Sequence, residues 1–281
     1  MKNISPLKLS CEFFPPKTSE GFQALEQTAN VLSQASPDFF SVTFGAGGAT
    51  REGTLEAVTK LQKTAIPVAP HLACVGLTRT EIISLLKTYQ SIGIQRIVAL
   101  RGDIPPNMDK QGELYFANEL VKLIRETMHH SFHIEVAAYP EIHPQAKNAS
   151  EDLHHFRQKV EAGADSAITQ YFFNPDNYFY FADECIKQHI SIPIIPGIMP
   201  ITHFDRLVRF SNQCGAEIPR WIFKRLESYH GDPESTQAFG IEVVYNLCER
   251  LIQGGAPGLH FYTLNHADTS LKLIKMLSAA R

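Results

Sequence analysis

Eight short apolar runs recur along the chain, with helical patterns between them: Leu7–Phe14, Phe39–Phe44, Val68–Cys74, Ile97–Leu100, Ile134–Tyr139, Ser166–Phe172, Ile192–Ile198 and Leu259–Leu264. Ile97 to Leu100 are apolar at consecutive positions, too few and too β-branched for a helix, as in a strand covered on both faces. The 281 residues give about 35 per unit, a usual size for a strand and its crossover helix. This alternation predicts an α/β chain, and more narrowly a single (β/α)8 TIM barrel spanning residues 1–281.

The segments between the runs carry helix punctuation. Phe22, Leu25, Ala29 and Leu32 share one face, and Pro37 lies beyond the end. Thr78 and Glu81 have the spacing of a capping box ahead of Ile82, Leu85 and Leu86, with Gly93 as the stop. Ser150 precedes Leu153, Phe156 and Val160; Asn174-Pro175 and Asp232-Pro233 each set a cap before a proline at the first helical position. Leu271 to Leu277 suggest a last helix. The competing architecture, an open doubly wound sheet, needs a glycine-rich turn after its first strand and an acidic residue near the end of the next. Gly45-Ala-Gly-Gly48 instead follows the second run, and the third leads to His71 and Cys74. A backbone turn near a ligand is the better reading of these glycines.

In such a barrel the active site lies where the strands end. The first strand offers Glu12, the second Thr43, the third His71, and the fourth Arg101 and Asp103. The fifth offers Tyr139, Glu141 and His143, the sixth Gln170, and the eighth Tyr262, Asn265 and His266. The opposite ends read as plainer. Leu7, Leu9, Cys11 and Phe13 form the apolar parity set of the first strand, so Ser10 and Glu12 take the other face. A carboxylate there points into the barrel mouth or pairs with a cation; loss of water favours its proton-carrying form, which suits a general acid. Arg101 and Asp103 share parity and should project together if the strand runs on, as an Arg–Asp pair or as two charges in the mouth. Two acids in different surroundings can divide roles, one giving a proton and the other staying ionised.

Such a pair also suits a glycosidase, but the sugar-stacking aromatics are missing: the single tryptophan, Trp221, sits between apolar neighbours. No lysine ends a strand, against Schiff-base chemistry. His71 and His143 come from separate strands with no evident third ligand, so no metal site is expected. His129-His130 and His154-His155 are expected to face solvent. A net charge of −3 gives no basic field for nucleic acid or an anionic membrane. Five scattered cysteines without a Cys-x-x-Cys, no apolar leader and no membrane-length apolar run lead to the expectation of a soluble, cytoplasmic protein.

Eight separated motifs then carry a resemblance. Glu12-Phe-Phe-Pro-Pro16, Ser41-Val-Thr-Phe-Gly45, Pro70-His-Leu72, Leu100-Arg-Gly-Asp103, Ala137-Ala-Tyr-Pro-Glu141, Ile168-Thr-Gln170, Pro196-Gly197 and His260-Phe-Tyr-Thr-Leu-Asn265 resemble, in order, the methylenetetrahydrofolate reductases. The resemblance implies a barrel that holds FAD without a Rossmann domain. Thr43, His71, Arg101, Gly102, Asp103, Ala117, Ala137, Tyr139, His143, Asp152 and Lys159 fall on the family's flavin positions. Arg101, Lys159 and His143 make sense beside a pyrophosphate or ribose, and Asp103 would make the reduced flavin ring less favourable.

The implied reaction is a shuttle, in which a reduced nicotinamide, NADH in short relatives, reduces FAD and leaves. Methylenetetrahydrofolate then takes its place and is reduced to methyltetrahydrofolate. Glu12 matches the general acid and Asp103 the residue that favours the iminium cation. Gln170 and Phe210 match residues that hold the pterin and stack on the substrates. Arg206 and His266 depart from the family, which commonly has glutamine and arginine there; one hypothesis is that the cation for the folate glutamate tail has moved between loops. Short relatives form homotetramers, and with the regulatory extension of the longer ones absent, inhibition by adenosylmethionine is not expected. A different flavin barrel acting on a small amine or imino acid, or a barrel that binds flavin or folate without catalysis, would explain fewer of the motifs.

Overall fold

The computed structural model describes residues 7–44, 51–103 and 112–279. Gly45-Ala-Gly-Gly48 and the prolines Pro105 and Pro106 lie outside them. Strands β1 (Lys8–Phe13), β2 (Phe39–Val42), β3 (Val68–Ala73), β4 (Arg96–Leu100), β5 (His133–Ala138), β6 (Ser166–Thr169), β7 (Ile194–Ile195), β8 (Gly197–Ile198) and β9 (Gly258–Tyr262) form one parallel sheet. Their order is β7-β6-β5-β4-β3-β2-β1-β9-β8. The seventh expected run is thus present as two short strands split at Pro196, whose missing N–H breaks the ladder. Its carbonyl still accepts from His260 N at 3.0 Å.

The register shows that the sheet rolls into a barrel. From Glu12 the pairing leads through β2 to β6 to Ser191, and through β9 to Met199, once each register is extended by up to three residues. The two paths meet the seventh run eight residues apart (199 − 191), the shear of a (β/α)8 barrel.

The helices are α1 (Ser19–Ser33), α2 (Arg51–Leu61), α3 (Arg79–Ser91), α4 (Ala117–Met128), α5 (Ala149–Glu161), α6 (Pro175–Lys187), α7 (Phe204–Cys214), α8 (Arg220–Ser228), α9 (Pro233–Gln253) and α10 (Asp268–Ala279). Both halves of the Thr78–Glu81 capping box form. Asn174 and Asp232 cap α6 and α9, each with proline in the first turn. The fifth helix starts one residue before the expected Ser150, because Asn148, not Ser150, accepts the Glu151 amide. Helix α8 had no clear signal: it buries only Ile222 and Leu226, and Trp221 is exposed against the edge of Phe239. Among the described residues no helix is long and apolar enough to cross a membrane.

The main core lies between strands and helices, where Cys11, Phe13, Phe40, Leu72, Ile97 and Phe261 meet helix residues such as Leu25 and Leu86. A smaller apolar plug of Phe39, Ala69, Val98 and Ile168 fills the barrel interior. Below it, at the strand starts, the structure corrects the expectation of plain ends. Arg96 pairs with Glu135, which is 1% exposed and also accepts a hydrogen bond from Ser166. His133 lies 3.4 Å from the same carboxylate, and the Arg96 guanidinium stands 4.5 Å over the Phe39 ring. Burial pushes the Glu135 carboxyl up, but hydrogen bonds from His133 and Ser166 and the charge of Arg96 outweigh it and hold it below its usual range.

Candidate active site

Above the plug, the alternation of β1 turns Ser10 and Glu12 inward while Cys11 and Phe13 face the helices. Glu12 Oε2 lies 3.3 Å from His71 Nε2 on β3 and 3.6 Å from His260 Nε2 on β9. Among the described residues no lysine or arginine pairs with Glu12, and its ion-pair neighbours are these two histidines. Ser10 Oγ and His260 Nδ1 share a 2.7 Å hydrogen bond that orients the second imidazole. Burial holds the His71 ring below its usual range, against the upward pull of Glu12, so it is neutral near pH 7. His260 lies outside the candidates read from the strand ends; its shared parity with Tyr262 on β9 is the sequence signal for its place in the site.

Five buried side-chain atoms among the described residues have no hydrogen-bond partner: Ser41 Oγ, Thr43 Oγ1, His71 Nε2, His260 Nε2 and Arg157 Nε. Four of them belong to β2, β3 and β9 or the residue just past β2, the strands around Glu12. Buried polar atoms are seldom left this way, and each needs a reason.

Asp103 reaches this mouth by a different route from the one its parity suggests. Strand β4 ends at Leu100, and Gly102 has φ +86°, so the chain turns before Asp103. A Cβ on Gly102 would lie 2.6 Å from Val75 and 2.9 Å from Ala73, so the turn requires glycine. Arg101 donates to Gln145 Oε1 at 2.6 Å, and its charge and that of Asp103 both act on Tyr139 and His143. Asp103 is exposed, and its charge, after burial, helps to push the Tyr139 hydroxyl up to about 12. Burial, then Glu12, then Tyr139 push the Tyr262 hydroxyl up in turn. Glu12 and Asp103 thus act on neighbouring phenols at one end of the barrel.

The remaining candidates divide between two sides of the mouth. On one, Tyr139 packs edge-on to His143 with centroids 4.5 Å apart, and His143 N donates to Asp152 Oδ2 at 2.9 Å. Lys159 donates to the carbonyl of Ala137 at 2.5 Å; burial lowers its pKa to about 8 despite Asp152. Burial also holds the His143 ring below its usual range. Ala117 is half-buried as the first residue of α4. On the other side, Gln170 folds its side-chain oxygen back to the Tyr171 amide, and α7 presents Arg206 and Phe210, both half-buried. His266 is exposed beyond β9, where Asn265 instead clamps Phe14 through both its backbone groups. His129, His130, His154 and His155 face solvent as expected.

The chain is 42% identical over 96% of its length to a protein of Buchnera aphidicola subsp. Schizaphis graminum named 5,10-methylenetetrahydrofolate reductase, covering 91% of that protein. It is 40% identical over 96% of its length to the Salmonella typhimurium protein of the same name, covering 90% of it. A rice protein named "Probable methylenetetrahydrofolate reductase (NADH)" is 36% identical over 95% of the chain, which covers 48% of that longer protein. Among solved structures, an uncharacterized Clostridium thermocellum protein, described as binding two copies of 5-methyl-5,6,7,8-tetrahydrofolic acid, superposes with TM-score 0.73. That match covers 98% of this chain and 96% of the other at 16% identity, and so speaks to the fold alone. The sequence pattern of the family described as "Methylenetetrahydrofolate reductase" matches residues 3–278, and the chain belongs to this enzyme family.

Proposed function

We propose that the chain reduces 5,10-methylenetetrahydrofolate to 5-methyltetrahydrofolate, with FAD as cofactor and NADH as donor, in a ping-pong sequence. The observation that carries this reading is the group of buried polar atoms around Glu12 that make no hydrogen bond, on Ser41, Thr43, His71 and His260, the two histidines lying only within ion-pair distance of the carboxylate. A buried polar group left unsatisfied costs about 1–3 kcal/mol, so a mouth lined with four of them is suited to polar ligand atoms. The cofactor-side residues fit a dinucleotide. Arg101, Lys159 and His143 offer cations or N–H donors for a pyrophosphate or ribose, and Tyr139 offers a ring. Thr43 and His71 bring polar atoms that make no hydrogen bond, while Gly102, Asp103, Ala117, Ala137 and Asp152 complete the set.

When bound, FAD supplies the two-electron chemistry that passes a hydride between substrates that never meet. Glu12 gives its proton to the nitrogen released as the imidazolidine ring of the folate opens. The carboxylate charge of Asp103 favours the iminium cation on the substrate. Gln170 holds the pterin by hydrogen bonds, Phe210 packs on the ring, and Arg206 and His266 stand where the glutamate tail needs a cation. The whole chain acts as one catalytic domain, in the cytoplasm, as a homotetramer; light scattering of the purified protein tests the last point. A visible spectrum tests the main reading. The protein should purify yellow, bleach with NADH without oxygen, and regain colour with methylenetetrahydrofolate. Colourless protein that takes up no FAD would exclude it.

A further inference from the structure

The loop that follows β5 has two working faces. On one, Tyr139, His143 and Gln145 meet Arg101 and Asp152, the residues assigned above to the flavin. On the other, Glu141 Oε1 accepts from Asn177 Nδ2 on α6 at 2.7 Å, and Oε2 accepts from the Glu217 amide, just past α7, also at 2.7 Å. Burial raises the Glu141 carboxyl above its usual range in spite of these two bonds. A carboxylate held half-buried at such a cost needs a use.

Two further contacts brace the same junction. Gly215, which ends α7 at φ +78°, lies so close to Pro144 that a Cβ there would be 2.7 Å from its ring. Tyr171, which follows β6, shares a 3.0 Å hydrogen bond with Ser211 of α7. Between Glu141 and His143, Ile142 takes φ +72°, a left-handed conformation that a β-branched residue adopts only under constraint. The strain sits where the loop turns from its cofactor face to its α7 face. A small void lined by Tyr139, Glu141, Gln170, Tyr171 and Cys214 lies within this junction.

We propose that Glu141 is a positioning residue that ties the cofactor-facing loop to α6 and to the segment just past α7, and so fixes where Arg206 and Phe210 of α7 stand relative to the flavin. This rests on the functional reading above for the ligands on either side. Both partners of Glu141 are N–H donors, so only a carboxylate satisfies both; a glutamine satisfies one and an alanine neither.

Three readouts test it. In Glu141→Ala the KM for methylenetetrahydrofolate should rise about tenfold and in Glu141→Gln about threefold, with kcat and FAD content within about twofold of wild type. Unchanged KM in both variants, or FAD content and kcat that fall together with affinity, would overturn the proposal. Independently of any ligand, hydrogen exchange at the Glu217 amide should quicken about tenfold or more in Glu141→Ala while that of His143 holds. Equal exchange in variant and wild type would overturn the tether. If the wild-type protein proved to bind no flavin, the functional reading would fall, and the exchange experiment would still decide whether Glu141 holds this junction.

Discussion

The two ends of the barrel interior hold similar residues in opposite conditions. Below the apolar plug of Phe39, Ala69, Val98 and Ile168, Arg96, His133, Glu135 and Ser166 answer one another completely. Above it, Glu12, Ser41, Thr43, His71 and His260 crowd together, and four of their polar atoms make no hydrogen bond. A buried charge costs free energy wherever it lies. At the lower end pairing offsets that cost, so the cluster serves the fold. At the upper end the cost stands, and the difference marks the side that a ligand must complete.

The largest effect that sharpens this contrast is on catalysis. Glu12→Gln keeps the size of the side chain and removes its acidity; folate reduction should fall by roughly two to four orders of magnitude while flavin reduction by NADH persists. Stopped-flow measurement of each half-reaction checks this, and equal loss in both would make Glu12 structural. At the other end, Glu135→Ala strands Arg96 and should cost about 3 kcal/mol of stability in urea unfolding, with activity per folded molecule unchanged. The native Glu135 carboxyl sits below its usual range, so its stabilisation is present above the unfolded pKa and is lost as pH falls through the folded one.

Smaller effects probe the cofactor side. Asp103→Asn removes a negative charge from the mouth, so flavin reduction should quicken and folate reduction slow, each by about tenfold. The opposite pattern would remove the electrostatic role. Lys159, lowered to about 8 by burial, loses its charge as pH rises through that value. FAD affinity should then weaken by at most about tenfold per pH unit above 8, while the free protein gains stability over the same range, because the charged lysine is the form that folding disfavours. Fluorescence titration of FAD from pH 7 to 9.5 checks the first sign and thermal unfolding the second.

The contrast was half legible in the sequence. Parity on β1 placed Glu12 inside, and the eight apolar runs gave the barrel, because both depend on local alternation. Glu135 is one residue within an apolar run and Arg96 borders another; only the pairing of β4 with β5 brings them together. Strand β4 does not run on through Arg101 and Asp103, because Gly102 turns the chain between them, yet both charges still act on Tyr139 and His143. His260 needed the closing pair β1–β9, formed by residues 250 positions apart, before its place beside Ser10 and Glu12 could be seen. The split at Pro196 was visible as a proline, but its effect depends on which neighbour each half pairs with.

Thermal unfolding of wild type, Glu135→Ala and Arg101→Leu, each with and without FAD, tests the contrast most directly. At 100 times its Kd, FAD should add about 2.7 kcal/mol to the wild type. Glu135→Ala should start lower and gain the same increment, whereas Arg101→Leu should start near wild type and lose most of it. If Glu135→Ala lost the increment and Arg101→Leu kept it, or if FAD stabilised none of the three, the division between an end that holds the fold and an end that waits for a ligand would be wrong.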